Sequence, residues 1–202
     1  MATLFTTDFS GIANGGAWPA EWQEIATPDS SFTDVQNNKG RIFTDVGNSN
    51  FEATHIGTAN ETIASDVRVR ISGLTLTALN DRARFAAVVR DDDFASQGGG
   101  WGSVGGIEFH LHDEQDTAST SGLHPTIEDQ DRDVDIAGPD QSVQFNAGET
   151  IDILLEVIGT TARWKIWLSS NSEPTAWTQA VTDSQIAEKT GGVSLYAATR
   201  GG

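Results

Sequence analysis

A chain of 202 residues with 12 Lys and Arg against 29 Asp and Glu has a formal charge of −17, and it contains no cysteine. That balance repels nucleic acid unless a local basic stripe exists, and no such stripe appears along the sequence. The absent cysteines exclude disulfides, thiolate zinc sites and cysteine nucleophiles, while 21 Gly, 6 Trp and 9 Phe suit one folded, turn-rich domain over residues 1–202.

The start, MATLFTTDFSG, has neither a basic n-region nor an apolar h-region. No run approaches the ~18 apolar residues of a membrane span. The expectation is cytoplasmic synthesis without a signal peptide and no membrane partner.

In chain order, TLFTTDF (3–9), FTDVQ (32–36), GRIFTDV (40–46) and NFEATHIG (50–57) are strand candidates, with NNKG between the second and third as a hairpin signal. SDVRVRIS alternates Val67, Val69 and Ile71 with Asp66, Arg68 and Arg70, which gives one dry and one wet face. RARFAAVVR (82–90) is apolar on both sides and predicts a central strand. From residue 91 to 135 the chain turns acidic, with twelve acids and one base, Arg132. Within it ASQGGGWGSVGG and EQDTASTSGLHPTIEDQDRD read as long loops, while GGIEFHLHD and DVDIAG read as strands. TIDILLEVIGTTARWKIWLS predicts a hairpin around GTTA, DSQIAEK a helical turn capped by Asp183, and GGVSLYAATR a closing strand.

About a dozen strands with little helix predict an all-β fold of two antiparallel sheets packed face to face, with jelly-roll topology favoured. The segments TDFSG…WPAEW and GETIDILLEVIGTTARWKIWLSSNSEPTAWTQAVTDSQIAEKTGGVSLYA resemble the laminin-G-like jelly rolls of the concanavalin A-like lectin and glucanase superfamily. The matching positions are Gly159, Trp167, Glu173, Pro174, Trp177, Asp183, Gly191 and Gly192. Within SSNSEPTAW, Pro174 ends a strand and extends Glu173, and Trp177 is expected to fold back onto Trp164 or Trp167.

In GGIEFHLHDEQD, Glu108, His110 and His112 fall on one strand face. They offer a ligand-binding row, or a metal pair completed by His124 or Glu108, but the favoured reading is a solvated face. Trp101, on its Gly-rich loop, is either a stacking platform for a sugar, an anchor into a neighbouring subunit, or packed beneath the loop. Ser103 lacks the frame of a nucleophile elbow.

Glucanases of the resembling superfamily share a strand motif E-x-D-x-E or E-x-D-x-x-E. It is missing here, leaving Glu108 with Asp133 or Asp135 as the sole sensible catalytic pair and a non-enzyme as the expectation. The resemblance implies a calcium ion at the sandwich rim, for which Asp91, Asp92, Asp93, Asp129 and Asp131 are the candidate ligands. It also implies a structural or binding role in a virion, as a phage capsid decoration protein or tail appendage with glycan affinity. That role carries with it a virion-surface location, a major capsid or tail protein as partner, and a homo-oligomer such as a trimer. A glycan depolymerase or free lectin of the same fold is the alternative.

Overall fold

The computed structural model describes residues 7–26, 32–43, 51–58, 66–75, 84–91, 105–112, 123–132, 134–138, 140, 143–188 and 190–200. The chain is all-β, with antiparallel sheets packed as a sandwich. Among the described residues thirteen strands run in chain order: β1 Trp22–Ala26, β2 Phe32–Gln36, β3 Lys39–Phe43, β4 Phe51–Thr58, β5 Val67–Thr75, β6 Arg84–Asp91 and β7 Ile107–His112. They continue with β8 His124–Asp129, β9 Val134–Ala137, β10 Thr150–Ile158, β11 Thr161–Leu168, β12 Gln179–Thr182 and β13 Gly192–Arg200. A seven-stranded sheet has the order β1-β4-β13-β6-β7-β8-β9, a four-stranded sheet the order β12-β11-β10-β5, and β2-β3 form a separate hairpin. Among the described residues no helix is long and apolar enough to cross a membrane.

The period of two sorts each central strand into an inner and an outer row. Ile107, Phe109 and Leu111 of β7 meet Ile151, Ile153, Leu155 and Val157 of β10 and Trp164 of β11 in one core cluster. Phe109 and Trp164 touch across the layers with ring centroids 5.5 Å apart. Each such side chain, removed from water, contributes roughly 1.5–3 kcal/mol. The apolar run of β6 is the fourth of the seven strands and is buried throughout, as a central strand should be.

Turn chemistry follows the sequence closely. Asn37 and Asn38 both take positive φ (52° and 59°) in the two-residue turn joining β2 and β3. Gly40 is required there, because a Cβ would come within 2.5 Å of the Phe9 and Trp18 rings. Asp183 Oδ1 accepts from the Gln185 N–H 2.9 Å away and caps a 3₁₀ turn over Ser184–Glu188.

Four expectations need correction. Thr7–Phe9 are irregular rather than extended, and residues 3–6 of that candidate lie outside the described residues. β1 and β12, short edge strands without clean alternation, were not anticipated. The supposed long loop after residue 113 contains β8, fully buried between β7 and β9. Pro125 argues against a strand, yet β9 pairs only with residues 127–129, so the proline nitrogen owes no ladder bond on that side. Trp177 packs against the cations of β11 rather than against Trp164 or Trp167: Arg163 lies 4.3 Å and Lys165 5.1 Å from its ring centroid, and Arg70 covers Trp167. Trp164 points the other way, with its Nε1 donating to Gln179.

One strand end is unusual. Gly192 pairs with Asp91 and Val193 with Val89, so Arg90 is the extra residue of a β-bulge, with φ at 57°. Gly106 lies against it at φ 99°, where a Cβ would come within 2.7 Å of the Val89 carbonyl oxygen. The bulge sends Arg90 inward, and its Nη1 donates to the carbonyls of Gly159, 3.1 Å away, and Ile186.

Candidate functional site

Strands β6, β7, β8 and β13 bring a polar cluster to the outer face of the seven-stranded sheet. The register sets Glu108 opposite Val88 and Glu128, and His110 opposite Ala86 and Thr126; Tyr196 of β13 pairs with Ala86. Ala86 and Val88 are small, and Arg84 reaches past the level of Ala86 to Glu108. Its Nη2 contacts Glu108 Oε1, His110 Nδ1 and Glu128 Oε2, the last at 2.7 Å. Tyr196 Oη donates to Glu108 Oε1 at 2.6 Å, and His110 Nδ1 lies 2.7 Å from the same oxygen.

The solvated-face expectation is therefore overturned. Glu108 and His110 are at most 1% exposed, and Arg84 is 4% exposed. A period of two tells which side chains share a face but not whether that face is covered, and here a guanidinium from the next strand neutralises the buried acids. The side chain of His112 lies outside the described residues. His124 is engaged elsewhere, its Nδ1 hydrogen-bonded to the Val143 carbonyl at 2.8 Å.

Burial raises the Glu108 carboxyl, but Arg84, His110 and Tyr196 outweigh it and hold the group at about 2. Burial and the neighbouring Glu108 charge push Glu128 up to about 7, against the pull of Arg84. Burial and Arg84 depress His110, so its ring is neutral near pH 7. Two oxygens in the cluster, Glu108 Oε2 and Thr126 Oγ1, are buried without a hydrogen-bond partner.

Glu108 and Glu128 form a glutamate pair that sequence reading did not find. The two carboxylates sit on adjacent strands twenty residues apart, one of them in a segment read as a loop, so no local motif announces them. Asp135, the earlier partner candidate, pairs with Glu128 through the backbone and is exposed; Asp133 lies outside the described residues.

Glu108, His110 and Glu128 offer ligand atoms within 4.8 Å of one another, a spacing that could hold a metal ion. Arg84 Nη2 contacts all three groups and supplies the cation they need. A Glu-His-Glu set also suits a transition metal better than calcium, which takes oxygen ligands. Of the acids named for calcium, Asp91 accepts from Ser194 Oγ at 2.6 Å and Asp129 from Arg132 Nε at 2.5 Å. Asp92, Asp93 and the side chain of Asp131 lie outside the described residues, as does Trp101.

No family model and no curated protein matches the chain. Solved structures do. The lumenal domain of VIP36 with calcium and Man2 bound superposes with a TM-score of 0.59 at 11% identity, covering 96% of this chain and 80% of that one. The carbohydrate-binding module CBM66 from Bacillus subtilis gives 0.54 at 14% identity, covering 89% and 92%. LamAcat from Zobellia galactanivorans gives 0.54 at 13%, covering 98% and 87%. The fold is thus the concanavalin A-like jelly roll that the sequence resembles. At these identities the likeness concerns the fold alone.

Proposed function

We propose that the protein is a non-catalytic glycan-binding module whose site is the polar cluster on the outer face of the seven-stranded sheet. The observation that carries this reading is the pair of buried, unpartnered oxygens, Glu108 Oε2 and Thr126 Oγ1, beside a fixed set of donors and acceptors. A sugar hydroxyl both donates and accepts, and would satisfy them. Lectins and a binding module among the similar structures support the reading. The cluster is closed to water, so occupancy requires the face to open. A glycan array should return a defined set of neutral saccharides, with Glu108→Gln and Thr126→Val each weakening binding at least tenfold. An array without hits, or hits unaffected by both variants, sinks the reading.

The setting we propose is a virion surface, possession of a capsid or tail partner and trimeric assembly included; it is supported by the superfamily resemblance alone. Co-sedimentation of the chain with particles, and its sedimentation coefficient in solution, test it. Calcium at the rim is carried by the same resemblance and by the calcium-bound VIP36 structure. Glycan binding that survives a chelator removes it.

A second reading has one observation in its favour. Glu108 near 2 and Glu128 near 7, with donor atoms within 4.8 Å, have the split and spacing of a retaining glycosidase's nucleophile and acid. Against it, Arg84 bridges both carboxylates and no water reaches Glu108. Release of reducing ends from a glycan, lost in Glu128→Gln, would establish it.

A further inference from the structure

The outer face of the four-stranded sheet escapes the acidity of the rest of the molecule. Arg68 and Arg70 of β5 alternate with the inward Val67, Val69 and Ile71, and Arg163 and Lys165 of β11 alternate with Ala162, Trp164 and Ile166. Four of the chain's 12 cations thereby share one face, although they are far apart in sequence. The acids among them are Asp66, Glu156, Glu173 and Asp152, so the local balance is 4 − 4 = 0 on a chain of −17.

These acids are shared. Glu156 serves both Arg68 and Arg163, Glu173 serves Arg70 at 2.9 Å and Lys165 at 3.0 Å, and Asp152 accepts from the Gly73 N–H and Ser169 Oγ. Guanidinium donors remain over. Arg68 binds Glu156 through Nε and Nη2 and Arg70 binds Glu173 through Nη1 while lying 5.3 Å from the Trp167 ring centroid, which leaves Arg68 Nη1 and Arg70 Nε and Nη2 without a hydrogen-bond partner among the described residues. Their side chains are 51% and 49% exposed, and the partly buried Trp177 ring lies on the same face against Arg163 and Lys165.

We propose that this face is a second ligand surface, one that takes a carboxylate-bearing polysaccharide, a polyuronate, across Trp177 and the free guanidinium donors of Arg68 and Arg70. The unsatisfied guanidinium donors select the occupant. Alternate residues on a strand stand roughly 7 Å apart, so the open Nε–Nη2 fork of Arg70 and the spare Nη1 of Arg68 face a polymer with repeating carboxylates side by side. A protein partner is disfavoured, since among the described residues Ile158, at the β10–β11 turn, is the one large exposed apolar side chain of this sheet. A nucleic acid is disfavoured because a single partly buried ring offers no succession of stacking platforms.

The test titrates the full chain with polygalacturonate, dextran and a single-stranded oligothymidylate at low and physiological salt. Polygalacturonate should bind, dextran and the oligonucleotide should not, and affinity should fall severalfold as salt rises. Arg70→Gln and Trp177→Ala, each shown folded by circular dichroism, should weaken polygalacturonate binding about tenfold. Arg41→Gln removes a charge from the β2–β3 hairpin instead and should leave it unchanged. Absence of polygalacturonate binding at low salt, an equal loss in Arg41→Gln, or equal affinity for the oligonucleotide overturns the proposal. So does a change in self-association, rather than in saccharide binding, as the effect of Arg70→Gln.

Discussion

The two outer faces of the sandwich follow the same alternating rule and end in opposite states. On the seven-stranded sheet Arg84 is sealed among Glu108, His110 and Glu128; on the four-stranded sheet Arg68 and Arg163 flank Glu156 with their heads half in solvent. In both a carboxylate with no exposed surface receives a guanidinium from each strand that faces it or from one that does, so charge matching is common to the two. The difference is water. A sealed ion network is held together because none of its members can be left alone, whereas an open one retains spare donors and can recruit a ligand.

That contrast can be broken by removing its cations and acids in turn. Arg84→Met strands Glu108 and Glu128 without a counter-charge in a dry site and should cost about 3–5 kcal/mol, read as a lowered denaturant midpoint. An unaltered midpoint would mean that water already reaches the cluster.

Glu128 makes the sealed face sensitive to pH. Its carboxyl is raised from 4.5 to about 7, so the folded chain holds a proton that the unfolded chain has released, and stability should decline as pH rises through that window. Glu108, held at about 2, works in the other direction and withdraws stability as pH falls below 4.5. Thermal unfolding across this range should show the decline between pH 4.5 and 7 in the wild type and a flat profile in Glu128→Gln.

Effects on the open face should be smaller. Glu156→Gln releases two arginines that can turn to solvent, at a cost of about 1 kcal/mol. Glu173→Gln, at the exposed edge of the same network, should leave the midpoint unchanged, and a measurable drop there would erase the distinction between the faces.

Much of the architecture was legible because the core strands carry strict alternation or continuous apolar runs: β5, β6, β7, β10, β11 and β13 all fall where the pattern puts them. The misses share a cause. β8 was hidden by Pro125 and its acids, whose local preference is for a loop, and burial between β7 and β9 overrode that preference. The site was half legible. The pattern placed Glu108 and His110 on one face, but Glu128, Arg84 and Tyr196 arrive from other strands, and only the register sets them beside each other. For the same reason a face bearing four cations went unseen in a chain whose sequence shows no basic run: its members alternate with core residues on strands about ninety positions apart.

Arg90 fastens one end of the sandwich by tying β6 to the β10–β11 turn and to the Ser184–Glu188 segment through main-chain oxygens. A protein without a sulfur crosslink thereby gains a clasp between its two layers that no reductant can open. It follows that dithiothreitol should leave the molecule's melting curve where it was, while shortening this one side chain should loosen the rim first.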